Sequence, residues 1–430
     1  MREYENYTLD PVPWIEKMPV HWKLVRGKHL YQKMQRPTSN IDEVITCFRD
    51  GTVTLRKNRR ITGFTESLKE IGYQGIKKGD LVIHVMDAFA GAVGVSDSDG
   101  KGTPVYSVCQ AKGDINNQYY ALLLREMART GFIQSLYRGI RERSSDFRFE
   151  VFAAQLYPVP PRPEQDQIVR FLDWKAASIN KLISIKKKQL VTIQEFVNKQ
   201  FQLISSCSPQ QSRLKHIVSL CNDFVEISPT QYYMKTGMYN RGRGIFRREA
   251  ILGENIGDSS FQKIHSDCVM ISGQFAWEGA TYITTEEDEA GIASHRYYLL
   301  APKKEVPSEY IWCFLMSDYG QMQMKLCSHG AAGRNRPLNI KELLNVYIPI
   351  PQSDSKLNAL ARNVQSLMKL RKNILLQEQK LTEMRNHLIS DVVTGKIDVR
   401  GIEIPEYEFV EEETDCDVDD EEETEGQEEG

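Results

Sequence analysis

PVPPRPEQDQIVRFLDWKAASINKLISIKKKQLVTIQEFVNKQFQLIS, residues 158–205, is the stretch from which the architecture can be read. Three of its first four residues are prolines, which fix φ and donate no backbone hydrogen bond, so the stretch opens as a rigid extended lead-in. From Glu164 to Ile204 there is neither Gly nor Pro. Over that span Ile168, Leu172, Ile179, Leu182, Leu190, Ile193, Val197 and Ile204 recur at spacings close to helical periods. The spacing predicts one uninterrupted helix, a rod of about 60 Å.

The chain repeats this phrase near its other end. Pro349-Ile350-Pro351 matches Pro158-Val159-Pro160, and Leu388-Ile389-Ser390 matches Leu203-Ile204-Ser205. Between them Leu357, Leu360, Val364, Leu367, Ile374, Leu381, Met384 and Leu388 step mostly by threes and fours, the seam of a coiled-coil helix.

Two matching rods prompt a search for a longer repeat. Arg26-Gly27-Lys28-His29-Leu30 meets Arg213-Leu214-Lys215-His216-Ile217 at an offset of 187. Tyr73-Gln74-Gly75-Ile76 meets Phe261-Gln262-Lys263-Ile264 at 188, with Ala88, Phe89 and Gly91-Ala92 meeting Ala276, Trp277 and Gly279-Ala280 in the same register. At 191, Lys112 meets Lys303, Tyr119 meets Tyr310, Leu124 meets Leu315, and Arg143 meets Arg334. The chain therefore reads as two diverged copies of a mixed α+β module, each followed by a long helix. The boundaries are an N-terminal segment 1–22, a first module 23–157, a proximal helix 158–207, a second module 208–348, a distal helix 349–398, and a tail 399–430.

The formal net charge of −3 hides a division. Residues 401–430 hold 16 Asp and Glu and no Lys or Arg, so residues 1–400 carry 55 Lys and Arg against 42 Asp and Glu, a net +13. Such a body suits a polyanionic partner, although Lys and Arg also solvate long helices. The tail's like charges and scarce apolar residues predict disorder, and it can compete with nucleic acid for the basic surface. Eight cysteines form no C-x-x-C pair and no metal-ligand spacing, which fits buried thiols in a reducing cytoplasm. No apolar run approaches the roughly 20 residues that span a bilayer, and the N-terminal stretch lacks the apolar core of a signal peptide.

Residues 1–22 read as loop, with Trp14 and Trp22 anchoring it to a neighbouring surface. In the first module, Val53–Leu55 and Asp80–Val85 read as strands and Tyr119–Met127 as a helix. Arg56, Lys57, Arg59 and Arg60 follow the first of those strands, and Arg138, Arg141, Arg143 and Arg148 crowd a later loop. The second module offers Arg241 and Arg243 around Gly242, then Arg247 and Arg248, then Gln274 with Trp277, then Arg334 and Arg336 beside a Gly-rich run. Clusters of this kind fit phosphate contacts, and Arg also grips guanine edges in a major groove. An ordinary solvated loop explains one cluster; two per module, echoed in the repeat, favour nucleic acid. The polar residues of the copies differ at matching places, as expected if modules built alike read different sequences.

Catalytic motifs are missing. Gly94–Lys101 imitates a phosphate-binding loop, but five residues separate its glycines and Gly102 stands where Ser or Thr would hold magnesium. Glu378-Gln379-Lys380 has a nuclease-like carboxylate-x-lysine spacing but lies on a rod. The chain reads as a binding protein, against a coiled-coil scaffold joining two protein-binding modules and, more remotely, a nuclease with a diverged site.

The Trp14-Ile15 and Pro19-Val20-His21-Trp22 opening, the two Pro-Val/Ile-Pro lead-ins, Pro163-Glu164-Gln165 and the ending Leu388–Asp398 resemble the DNA specificity subunit of type I restriction-modification systems. The resemblance covers residues 1 to about 398. It implies two target recognition domains, each reading half of a bipartite site on double-stranded DNA, held apart by two long antiparallel helices in a pseudo-twofold arrangement. It implies that the helices dock two methyltransferase subunits, with Ile168, Leu172, Ile179, Leu182, Ile193, Leu360, Val364, Leu367, Ile374, Leu381 and Leu388 as candidate positions. Restriction and translocase subunits would join them. S-adenosylmethionine, ATP and magnesium would then sit on those partners, with no cofactor, metal or catalytic residue here, in the cytoplasm and away from any membrane. The second helix departs from the pattern, beginning Ser353-Asp354-Ser355-Lys356 where the first has Arg162-Pro163-Glu164-Gln165, and the acidic tail lies outside it.

Overall fold

The computed structural model describes residues 2–59, 71–136, 146–206, 208, 210–239, 242–257, 259–303, 306–330, 336–350 and 354–410. The chain divides into two compact units, residues 1–182 with 381–418 and residues 183–380 with 419–430. Each unit holds one module and a portion of both long helices, the proximal Arg162–Ser206 and the distal Asp354–Val393.

In the first unit a four-stranded antiparallel sheet runs in the order Tyr31–Lys33, Tyr106–Ala111, Leu81–His84, Val93–Val95. The helix Asn117–Arg129 buries Tyr119, Tyr120, Leu123, Leu124 and Met127 in the unit's core. The Asn116 side chain starts that helix by accepting from the backbone N–H groups of Gln118 and Tyr119. In the second unit the sheet order is Val218–Cys221, Tyr297–Pro302, Val269–Ser272, Thr281–Ile283, again antiparallel, with helix Ser308–Met316 wholly buried against it.

The duplication extends to single hydrogen bonds. The Tyr106 hydroxyl accepts from Cys47 N–H (3.3 Å) while Gln74 donates to the Tyr106 carbonyl (2.7 Å). In the other copy the Tyr297 hydroxyl accepts from Met238 N–H (3.2 Å) while Gln262 donates to the Tyr297 carbonyl (2.5 Å). Lys112 binds backbone carbonyls with both its N–H and its Nζ, at Leu30 and Lys28; Lys303 does the same at Ile217 and Lys215. These pairs sit at offsets of 187 to 191, the registers found by aligning the chain with itself.

Within each unit the two long helices run antiparallel. In the first, Ile168, Val169, Phe171 and Leu172 share a core with Val392 and Val393, and farther along Arg385 donates to Asn180 Oδ1 (2.9 Å). In the second, Val197, Phe201 and Ile204 share a core with Leu357, Leu360 and Val364, and Asn363 donates to Gln200 (3.2 Å). The proline lead-ins are strands rather than bare spacers. Leu156–Val159 pairs with Lys23–Arg26, and Tyr347–Pro349 pairs with Gln211–Arg213. A proline is tolerated in such a two-stranded ribbon because one edge of each strand needs no partner.

Residues 1–22 correct the expectation of a loop. Tyr7–Val12 and Ile15–Pro19 form an antiparallel hairpin with a register shift between Leu9 and Val12. It is fastened to the first turn of the proximal helix by one carboxylate. Glu164 is 4 % exposed and accepts from Tyr4 Oη (2.6 Å) and Trp22 Nε1 (3.0 Å), while His21 Nε2 lies 2.8 Å from its second oxygen. Burial, then the bond to Glu164, pushes the Tyr4 phenol far above its ordinary range, so Tyr4 remains a donor. The adjacent Gln165 accepts from Asn116 N–H (2.8 Å) and donates to the Pro160 carbonyl (2.8 Å), tying the module's helix to the rod.

The end of the distal helix closes over the same hairpin. Tyr119 donates to the Val393 carbonyl (3.1 Å) and Tyr7 to the Lys396 carbonyl (2.9 Å). Gly395 turns the chain at φ +81, and a Cβ there would stand 2.5 Å from Pro19 Cδ and 2.7 Å from Trp22. Glu164→Ala strands two buried donors and should destabilise the protein by about 2–5 kcal/mol. Gly395→Ala should cost about 2 kcal/mol through the left-handed φ and the clash. Both are measurable by chemical denaturation of the full chain.

Candidate nucleic-acid interface

Two loops meet at one end of the first module, and Phe147 reaches the same place. The strand Leu81–His84 runs into Val85–Asp87 and a short 3-10 turn, Ala88–Ala90, which Gly91 ends at φ +88. Asp87 N–H donates to His84 Nδ1 (3.1 Å), fixing the loop's entry, and His84 Nε2 lies 3.4 Å from the Asp87 carboxylate. Burial holds His84 below its ordinary pKa, with the Asp87 charge opposing. The turn after strand Ile45–Cys47 packs on this one: a Cβ on Gly91 would stand 2.8 Å from the Arg49 carbonyl, and Arg49 donates to Asp87 (3.3 Å). Farther along the chain, Phe147 N–H donates to the Val85 carbonyl (3.2 Å).

The second module builds the same end with other side chains. Strand Val269–Ser272 leads into Gly273–Phe275 and the 3-10 turn Ala276–Glu278, ended by Gly279 at φ +78. Here Ser272 Oγ takes the place of the imidazole, accepting from Phe275 N–H (3.2 Å). Leu338 N–H donates to the Gly273 carbonyl (2.7 Å), as Phe147 does to Val85. Trp277 Nε1 donates to the Gln274 carbonyl (3.1 Å), and the Arg336 guanidinium stands over the Trp277 ring at 5.3 Å. Gly242 meets this turn from the hairpin side; a Cβ on it would lie 3.2 Å from the Gly279 carbonyl.

The sequence candidates therefore separate. Gln274, Trp277 and Arg336 come together, and Arg243, over the Tyr239 ring at 5.3 Å, belongs to the hairpin turn that joins them. Arg59 and Arg247, expected to be available to phosphate, have internal carboxylate partners. Arg59 pairs with Asp50 (2.5 Å) and covers the Phe48 ring at 4.6 Å. Burial would raise the Asp50 pKa, but hydrogen bonds from Arg59 and Thr52 outweigh it and hold the carboxyl below its ordinary range. Arg247 reaches Asp288 at 2.5 Å, a carboxylate 1 % exposed that also caps its own turn through Thr285. Lys57 forms an exposed pair with Glu43 at 2.5 Å, Arg56 Nε donates to Thr46 Oγ1 (3.3 Å), and Arg248 leans on Phe246 at 5.9 Å. Arg60, Arg138, Arg141, Arg143, Arg241 and Arg334 lie outside the described residues.

The helical docking candidates are largely committed to the chain's own cores. Ile168, Leu172, Ile179, Ile193, Leu360, Val364 and Ile374 are buried, and Leu367, Leu381 and Leu388 half-buried; of the set only Leu182 is exposed, at 46 %. Apart from Leu182, the apolar side chains that the rods turn outward lie outside that set. They are Leu182 and Met384 in the first unit, and Ile185, Val191, Phe196, Leu203, Leu370 and Leu376 in the second. Leu182 and Met384 lie on the period read from the sequence and the other six lie off it, so periodicity finds the seam and only part of the outer face.

Arg49 is not among the residues that the sequence points to. The signal available for Arg49 is the Asp50-Gly51 pair beside it, a turn dipeptide that ends one strand and begins the next. Among the described residues no group of three or more His, Cys, Asp or Glu could hold a metal ion, and no helix is long and apolar enough to cross a membrane.

No protein-family model matches the chain, and no curated protein matches it. Among solved structures it is similar to a chain from a study of complex assembly and conformational transition of the type I R-M system, at 14% identity and a TM-score of 0.48, covering 89% of this chain and 100% of that one. It is similar to the S subunit of a type I restriction-modification system from M. genitalium, at 14% identity and a TM-score of 0.43, covering 89% of this chain and 98% of that one. It is also similar to the HsdS subunit from Thermoanaerobacter tengcongensis, at 14% identity and a TM-score of 0.41, covering 91% of this chain and all of the other.

Proposed function

We propose that this chain is the DNA-recognition subunit of a type I restriction-modification complex, in which each module reads one half of a bipartite site. The observation that carries the reading is a duplicated frame whose loops differ where they would meet a ligand. His84, Met86 and Asp87 in one copy stand where Ser272, Gln274 and Phe275 stand in the other, on sheets of the same strand order. An amide such as Gln274 can bond the adenine edge bidentately, and Asp can accept from cytosine N4. Trp277 under Arg336 is a flat cationic platform suited to a base or a phosphate. The proximal helix, 45 residues long, spans about 67 Å, twice a DNA turn of ~34 Å.

The same reading places adenine methylation and cleavage on partner subunits that carry S-adenosylmethionine, ATP and magnesium. This chain contributes binding and registration only. The outward apolar side chains of the two rods are the surface for two methyltransferase subunits, and restriction subunits complete the assembly.

Mapping methylated adenines in cells with and without the chain should reveal one bipartite motif that disappears on deletion; an unchanged methylation map overturns the reading. Trp277→Ala or Arg336→Ala should relax the half-site read by the second module by about 1–3 kcal/mol and leave the other half unaltered. Arg247→Ala should behave differently. It leaves the buried Asp288 without a counter-charge, held only by Thr285, so it should cost about 3 kcal/mol of stability, seen in denaturation, with no selective change in either half-site.

A further inference from the structure

Strand Leu81–His84 ends where a loop of the first module begins, and its last residue closes that loop. Asp87 N–H donates to His84 Nδ1 (3.1 Å), three residues back. A ring nitrogen that accepts carries no proton, so in the neutral imidazole the proton sits on Nε2, 3.4 Å from the Asp87 carboxylate. Arg49 donates to the other oxygen of that carboxylate (3.3 Å), and the Asp87 carbonyl accepts from Ala90 N–H (3.0 Å) and Ala92 N–H (3.2 Å). The backbone of Asp87 thus fixes both the entry and the exit of the loop that presents Met86 and the Asp87 carboxylate.

The second copy makes the same bond with a group that does not titrate. His84 is the cross-strand partner of Tyr106 and Ser272 that of Tyr297, the tyrosines whose own bonds repeat in both frames. Ser272 Oγ accepts from Phe275 N–H (3.2 Å), again three residues on. A hydroxyl keeps its acceptor as pH falls, whereas an imidazolium has none in either orientation of its ring. Among the described residues, the charged groups acting on His84 are Asp87, on its own loop, and Arg49, on the turn after strand Ile45–Cys47. The Tyr106 ring meets the imidazole edge to face at 5.2 Å; burial pushes the Tyr106 phenol up to about 12 and raises the nearby Cys47 thiol as well, so both stay neutral. Burial disfavours the imidazolium and outweighs the Asp87 charge, which holds His84 below its ordinary 6.5. The bond is therefore complete above that ordinary value and is lost as pH falls through the lowered one.

We propose that His84 is a positioning residue for the first half-site: neutral, it latches the loop through the Asp87 N–H, and protonated, it releases the loop, so that one half-site and not the other is read in a proton-dependent way. The latch rests on the bond and on its non-titrating counterpart; its effect on DNA also rests on the DNA-recognition reading above. A proton added at Nδ1 sets N–H against N–H, while Nε2–H still faces the Asp87 carboxylate. The backbone is pushed off while the carboxylate is kept near, so Asp87 turns. An acceptor offered to a base edge is then out of line, and hydrogen bonds weaken steeply with angle.

The test sets the full chain beside His84→Ala, which removes the acceptor, and His84→Ser, which transfers the acceptor of the second copy. Exchange of the Asp87 amide without DNA, read by NMR on aspartate-labelled protein and compared between forms at one pH, isolates the latch. At about pH 7.5 the alanine form should exchange about tenfold faster than the other two, and at about pH 5 the unaltered chain should join it while the serine form stays slow. Duplexes are then selected from a random library by each form assembled with its methyltransferase partners. In the half-site that Trp277→Ala leaves intact, selectivity should fall about tenfold between about pH 7.5 and about pH 5 in the unaltered chain, show no pH dependence in His84→Ser, and be low throughout in His84→Ala, with the other half-site constant. Asp87 exchange that stays alike in the unaltered chain and His84→Ser on acidification overturns the latch. An opened latch with undiminished selectivity in the first half-site overturns the positioning role. If no form selects a bipartite sequence at either pH, the DNA-recognition reading fails and takes the positioning role with it, while amide exchange still decides the latch.

Discussion

A single buried carboxylate in the first turn of the proximal helix ties the first unit together. Withdrawing Glu164 from water is unfavourable unless its oxygens are fully engaged, and they are engaged by Tyr4, Trp22 and His21 from a segment far earlier in the chain. The neighbouring Gln165 makes a parallel connection to the start of the module's own helix. Because Trp22 and Pro19 also wall in Gly395, the hairpin, the start of one rod and the end of the other have one shared geometry. The module is thereby held on the rod at a fixed angle instead of hanging from a linker.

Much of this was legible in the sequence because repetition amplifies weak signals. A strand such as Gln74–Ile76 is three residues long and carries little information alone, but its second occurrence at Phe261–Lys263 makes both visible. The rods were legible for the opposite reason: some forty residues without Gly or Pro leave few other conformations. The N-terminal hairpin was hidden because Asp10 takes a positive φ and Pro11 and Pro13 interrupt the alternation that marks a strand. Nor could pattern separate the arginines. Arg247 finds its carboxylate far onward at Asp288 and Arg59 finds Asp50 across a hairpin, and such pairings are set by the tertiary fold.

The two modules show how a frame and its contents are separated physically. The tyrosine, glutamine and lysine bonds repeated in both copies bind backbone, so they hold the sheet whatever stands in the loops. At the loop entry the requirement is only for an acceptor a few positions before a backbone N–H, and an imidazole or a hydroxyl supplies it equally well. Beyond that point the side chains are engaged differently in the two copies, Asp87 by Arg49 and Phe275 by packing on its module's apolar cluster. Met86 and Asp87 could become Gln274 and Phe275 without disturbing the strand order.

The copies are not closed alike, however. The first is preceded by the hairpin of segment 1–22, while between the proximal helix and the first strand of the second lie only residues 207–210. Two modules built on one frame offer a partner nearly the same backbone surface twice. The additional hairpin marks one copy chemically, giving the chain a polarity by which an assembly could distinguish head from tail.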